Sequence, residues 1–245
     1  MIFKIKIGVI LLTLLISFLY FFTGPVIEQP QDYHQFADQR LLWGVANAFD
    51  VLSNLAFLVA GYLGLREILK NQKNLISYAS WKWFFIAIIL IAPGSAYYHL
   101  APNDGTLIWD RLPMSLGFMA LYVALFTEHI SLKSERFLPL ALLLGLVSVL
   151  TWVVTSDLRF YFWVQFSSFL TIPVILIFFR SYFTQKYWYG VTLVCYLLAK
   201  ITEVKDHEIF AWTGENISGH TLKHLLAALG LAFLWWMLKK RSARS

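Results

Sequence analysis

Apolar residues run in long blocks along this chain, separated by short polar intervals rather than alternating with them. A hydrocarbon core about 30 Å thick needs about 20 mainly apolar residues per helix. Eight stretches fit: roughly 5–23, 46–65, 81–100, 112–130, 137–154, 160–179, 187–203 and 219–238. Their short connections predict one all-α helical membrane domain with no soluble module. Lys4 and Lys6 precede the first block, which ends near Phe22. That block is longer than the usual 7–15-residue apolar region of a signal peptide, and no A-x-A-like cleavage site follows. An uncleaved, signal-anchor-like helix over residues 1–24 is expected. The longest polar interval after it, 24–45, carries Glu28, Asp32, Asp38 and Arg40 and is expected to lie at an interface.

Composition removes the soluble alternative. The chain of 245 residues is 59% hydrophobic and 14% charged, with mean hydropathy +0.64, against about 25% charged in an average soluble domain. With the N-terminus in the cytoplasm, fourteen of the 20 Lys and Arg residues fall on the cytoplasmic side, Lys73 and the cluster Lys239–Arg241 among them. Five fall opposite (Arg40, Arg111, Arg159, Lys200 and Lys205), and Lys223 lies within the last span. This asymmetry predicts both termini inside and accounts for the net charge of +6 without nucleic acid. Trp81, Trp83, Trp188, Trp235 and Trp236 are placed at cytoplasmic ends and Trp109 at an outer end, as interfacial anchors. The single cysteine, Cys195, permits neither an intrachain disulfide nor a cysteine-based metal site.

The same topology gathers chemistry at one depth. His220 and His224 are i,i+4 on the last span, about 40° apart on one helix face, a spacing that lets two imidazoles reach one metal ion. His99 ends the third span on the same outer side, four residues after Ser95, and Asp110 lies just before the fourth span. Asn47, Asp50 and Asn54 open the second span there too. Ionisable groups inside a membrane are costly and are read first as functional. Three neutral imidazoles converging on zinc, with a fourth position open to water, describe a hydrolytic site. His34 and His207, in loops, and His129, at a cytoplasmic end, fall outside it. Structural readings stand beside these. Asp110 can cap a helix whose first turn holds Pro113, Ser95 can be a small packing residue, and Asn47, Asp50, Ser53 and Asn54 can form an interhelical polar network. Glu203, Asp206, Glu208 and Glu215 are read as a solvated or headgroup-facing set.

Asn47…Asp50…Ser53-Asn54, Ser95-x-x-x-His99, Asp110 and His220-x-x-x-His224, in this order, resemble the alkaline ceramidase family. That family lies within the superfamily that includes the adiponectin and progestin receptors. The stretches Phe36–Arg40, Trp109–Pro113 and Ser218–His224 look like its bacterial branch, and the resemblance spans about residues 33–235. It implies a seven-helix core, here within residues 25–245, with the first span an addition. It implies zinc held by His99, His220 and His224, Asp110 as general base, and Ser95 polarising the water or the oxyanion. The activity implied is hydrolysis of the ceramide amide to a fatty acid and a sphingoid base. The partner implied is a membrane lipid, with no nucleic acid and no inferable protein partner. The location implied is a bacterial inner membrane, with the site toward the outer side. One feature departs from the pattern. Eukaryotic members bind calcium through acids before and within the first core helix, but Asn47 stands where such a helix carries glutamate. Asp32 and Asp38 are not in clear register. The departure leaves calcium doubtful at the candidate second site of Asn47, Asp50 and Asn54, and it weakens ceramide as the particular substrate.

Three alternatives stay open. One is hydrolysis of another lipid amide or ester. A second is a receptor-like or structural protein in which zinc only staples helices, with Asp110 or Ser95 filling the open position. The third, transport, ranks last, because the inner halves of the spans are expected to hold few polar groups.

Overall fold

The computed structural model describes residues 2–71 and 76–244; Lys73 and Ser245 lie outside the described residues. The order is α1 (Ile2–Phe22), α2 (Ala48–Ser53), α3 (Leu55–Lys70), α4 (Tyr78–Leu100), α5 (Asp104–His129), α6 (Leu138–Thr155), α7 (Arg159–Phe178), α8 (Tyr187–Val204), α9 (Asp206–Trp212) and α10 (Gly219–Lys240). Every apolar block of the sequence is helical. Among the described residues, six spans are long and apolar enough to cross a bilayer, with α2 and α3 counting as one. The protein is an all-α, multi-pass membrane protein. The second span is broken at Asn54, whose side chain donates to the carbonyls of Asp50 and Val51, the local competition that bends a helix.

Small residues let the helices approach. A Cβ on Gly64 would lie 2.0 Å from the ring of Phe85, and one on Gly145 would lie 3.1 Å from the carbonyl of Ser115. Such contacts pack helices where lipid offers no hydrophobic drive. They bring Trp81, Phe85 and Ile88 of α4 into one core with Met119, Val123 and Leu125 of α5. α1 lies on α7 through Phe18–Trp163 and Phe21–Phe166 ring contacts at 5.7 and 5.6 Å.

Four readings of the sequence need correction. α5 starts at Asp104, not near 112, because Asn103 and Thr106 form a reciprocal capping box. Asp110 is therefore well inside the helix and caps nothing, and Pro113 is internal. Trp81 is no interfacial anchor: it is fully buried and its indole donates to Glu128 at 2.6 Å. The end of the bundle away from His99 is also not poor in polar groups. Glu128, fully buried, accepts from Ser77, Trp81 and Tyr189 and pairs with Arg241 at 2.7 and 2.8 Å. Hydropathy averaged along a helix does not register one carboxylate aimed at the bundle axis. His207, finally, is in α9 rather than a loop.

The segment between α1 and α2 folds across the end of the bundle that holds His99 and the start of α10, with a 3-10 turn at Gln31–His34. Arg159 donates to the carbonyl of Gly24 and Asp206 accepts from the amide of Ala37. Asp38 is fully buried and holds Arg40 at 2.7 and 2.6 Å. Between these ties, Phe36 points inward.

Candidate metal centre

Two glycines set the site. Pro113 has no N–H for the carbonyl of Trp109 four residues earlier. Gly94 of α4 packs against that carbonyl so closely that a Cβ would lie 2.1 Å from it. This contact brings Ser95, the next residue on α4, toward Asp110, the residue after Trp109 on α5, and carries His99 one turn further along α4. Gly219 does the same for α10. A Cβ there would meet the carbonyl of Thr202 at 2.1 Å and the Cα of Asp206 at 2.7 Å. The start of α10 is thereby seated on the α8–α9 junction.

The first turn of α10 is capped from several directions. Ser218 accepts from the amide of Thr221 at 2.9 Å, and Asp206 accepts from the amide of His220 at 2.7 Å. These acceptors satisfy N–H groups that a helix start leaves open. Asp50 of α2 accepts from the hydroxyls of Ser218 and Thr221 at 3.0 and 2.6 Å. Asp206 is thus a buried structural acceptor, not part of a solvated face. Glu203 is not fully solvated either, its side chain only 12% exposed and bonded to Lys223, Lys200 and Tyr33. Glu208 and Glu215 are exposed as expected.

The histidines meet under this frame. His99, His220 and His224 are buried, each offering one ring nitrogen within 4.8 Å of the others. Their ring centroids are 4.7–4.9 Å apart. Among the described residues this is the one group of three or more His, Cys, Asp or Glu side chains so arranged. Phe36 lies 4.6 Å from both His99 and His220 and covers them from the segment between α1 and α2, while Phe57 packs on His224 at 5.7 Å.

Hydrogen bonds assign one ring. The Ser53 hydroxyl donates to the carbonyl of Asp50 at 2.9 Å and lies 2.7 Å from Nδ1 of His224. With its only proton committed, that hydroxyl accepts from Nδ1–H, which leaves the lone pair of Nε2 free for a ligand. His99 is fully buried with neither ring nitrogen partnered. Its backbone is fixed through the carbonyl, which accepts from Asn47 at 2.7 Å. A buried polar atom without a partner is expensive. Unpartnered nitrogens facing two further imidazoles form a donor set that fits a borderline cation such as zinc. The cluster could hold a metal ion.

Of the residues named from sequence, the three histidines come together, with Ser95 and Asp110 beside each other one turn below His99. Asn47, Asp50 and Asn54 each make their own hydrogen bonds near the histidines. Asn47 holds α4, Asp50 holds α10, and Asn54 bonds its own helix. Phe36, Glu203, Asp206 and Lys223 adjoin the site without having been singled out for it. Lys223 offered one signal, a charge in the middle of an apolar span beside two candidate ligands. Its Nζ lies 2.9 Å from Glu203 and 3.0 Å from Nε2 of His220. Tyr33, in the covering segment, completes this group. Burial pushes its phenol well above the ordinary range, so it remains a donor, 3.2 Å from Glu203.

Comparison with known proteins now adds one finding. A family model described as Ceramidase matches residues 40–241, which takes in α2 to α10 and leaves out α1. The chain belongs to that family. No curated protein matches it.

Proposed function

We propose that this ceramidase-family protein is a zinc-dependent hydrolase of lipid amides, releasing a fatty acid and an amine from a ceramide-like N-acyl bond. One observation carries the reading: a fully buried His99 with both ring nitrogens unpartnered, turned toward two more buried imidazoles. His99, His220 and His224 would hold the metal. A zinc ion so held supplies a Lewis acid for the carbonyl and lowers the pKa of a water to about 7.

The chain's own groups do the rest. Ser53 keeps His224 in the tautomer whose Nε2 faces the cluster. Asp110 takes the proton of the attacking water and returns it to the leaving nitrogen. Ser95, against that carboxylate, orients it and the attacking water. Phe36 and the covering segment keep bulk water from the reacting atoms. The acyl chain enters from the bilayer between apolar helix faces.

Residues 1–24 are an added membrane helix ahead of a seven-helix unit over 25–245. The termini are cytoplasmic and the site faces the outer side, in a bacterial inner membrane. The absence of a glutamate at Asn47 favours a lipid amide outside the ceramides of the eukaryotic members.

The test is lipid analysis of membranes incubated with purified protein, with and without chelator. The expected outcome is a long-chain amide that disappears only without chelator. In Asp110→Asn, zinc should remain while turnover falls by about 10²–10⁴-fold. If zinc-loaded wild type turns over no long-chain amide or ester, a receptor-like role replaces the hydrolase. If Asp110→Asn strips the zinc from a folded protein, Asp110 is a ligand and the mechanism fails.

A further inference from the structure

We propose that Lys223 is a catalytic residue of this site, donating an N–H to the carbonyl oxygen of the scissile amide as that oxygen becomes an oxyanion. The inference rests on the hydrolase reading above. Lys223 sits on α10 between His220 and His224, and its ammonium reaches back to the ring of His220 at 3.0 Å. It is held there by Glu203 at 2.9 Å. A full positive charge at this depth is costly, and pairing with a carboxylate offsets that cost. The pairing does not use Lys223 up. Glu203 also takes Lys200 and the Tyr33 hydroxyl, so two ammonium groups share one carboxylate. An ammonium has three donors; one is on Glu203 and a second is on Nε2 of His220, which leaves the third for a carbonyl oxygen beside the histidine cluster. Asp110 is within electrostatic reach of the same charge.

The chemistry suits that placement. A protonated lysine has no lone pair and cannot take the proton of water, a task that falls to Asp110. As the water oxygen bonds to the carbonyl carbon, the π electron pair moves onto the carbonyl oxygen. Lys223 stabilises that new negative charge and keeps its proton throughout. When the C–N bond breaks, the C=O bond reforms, the nitrogen receives the proton from Asp110, and Lys223 is unchanged. A donor fixed at a developing oxyanion contributes about 10²–10³-fold in kcat, more than a remote charge supplies.

The competing role is structural, in which Lys223 only neutralises Glu203. The double variant Lys223→Met/Glu203→Gln separates the two, because it removes both charges and leaves no unpaired partner. The expected double variant folds and retains its metal as wild type does, yet kcat falls by about 10²–10³-fold with KM little changed. A phosphonate analogue with a tetrahedral anionic centre should lose affinity by the same factor, while the fatty amine product binds as before. Lys223→Arg should recover part of the rate, since it keeps the charge. If the double variant retains kcat and analogue affinity within about threefold of wild type, Lys223 is structural and the inference is overturned. If the double variant does not fold, Lys223→Met with Glu203 retained is measured instead, and analogue affinity decides on the same criterion. A wild type inactive on every long-chain amide and ester defeats the hydrolase reading itself, and a result confined to the variants does not.

Discussion

The hydroxyl of Ser53 lies 2.7 Å from Nδ1 of His224, across the interface between the second span and α10. The same hydroxyl donates to the carbonyl of Asp50. The contact fixes which nitrogen of the ring is free, so the second span sets the chemistry of a residue 171 positions later. Ser53→Ala removes it. The expected outcome is metal affinity weaker by about 10–100-fold, the usual cost of losing such a partner, with stability lowered by about 1–3 kcal/mol because the buried Nδ1–H of His224 loses its acceptor. A metal titration monitored alongside a melting curve checks both. An affinity equal to wild type would mean that Ser53 does not orient the ring.

The metal itself is the next prediction. Purified protein should carry about one zinc, as three imidazoles with an open position imply. His99→Ala, His220→Ala and His224→Ala should each lose it, because two remaining ligands hold zinc poorly. Elemental analysis of the four proteins decides this. Zinc retained at full stoichiometry in all three variants would remove the centre assigned here.

Gly94→Ala tests the close approach of α4 to α5. Its Cβ would sit 2.1 Å from the carbonyl of Trp109, a backbone atom that cannot swing away. The helices must separate, and overpacking of this kind costs about 1–3 kcal/mol. Ser95 would then move off Asp110. Activity should fall more steeply than stability, and zinc affinity should weaken as well, because the same contact positions His99 on α4. Gly8→Ala, with nothing within 4 Å, is the matched control and should change neither.

Orientation has its own measurement. A reporter fused after Ser245 should mark the cytoplasm, and one inserted near Asn103 the opposite side, as the basic residues require. Two reporters in one compartment would mean an even number of spans between Asn103 and the C-terminus, and the topology proposed here would fail.

Hydropathy along the chain located each long helix, because crossing lipid requires every backbone group to be satisfied within an unbroken apolar stretch. The i,i+4 spacing of His220 and His224 and the placement of His99 at a helix end follow from periodicity and hydropathy. Both are properties of one segment at a time. The rest depended on which faces meet. Nothing local distinguishes Trp81 as core from Trp83 as half exposed, or reveals that Glu128 is matched by Arg241 from the far end of the chain. The start of α5 escaped hydropathy because its first turns are polar and held by a capping box. The tautomer of His224, the cover of Phe36 and the position of Lys223 against His220 come from contacts between distant segments. Those contacts exist because Gly94 and Gly219 let backbones approach to distances that any side chain would forbid. The sequence by itself determined the helices, their depth and the histidines at one level. The tertiary structure decided which nitrogen is free, which charge is paired and what shields the site, since these depend on packing at close range between residues far apart in sequence.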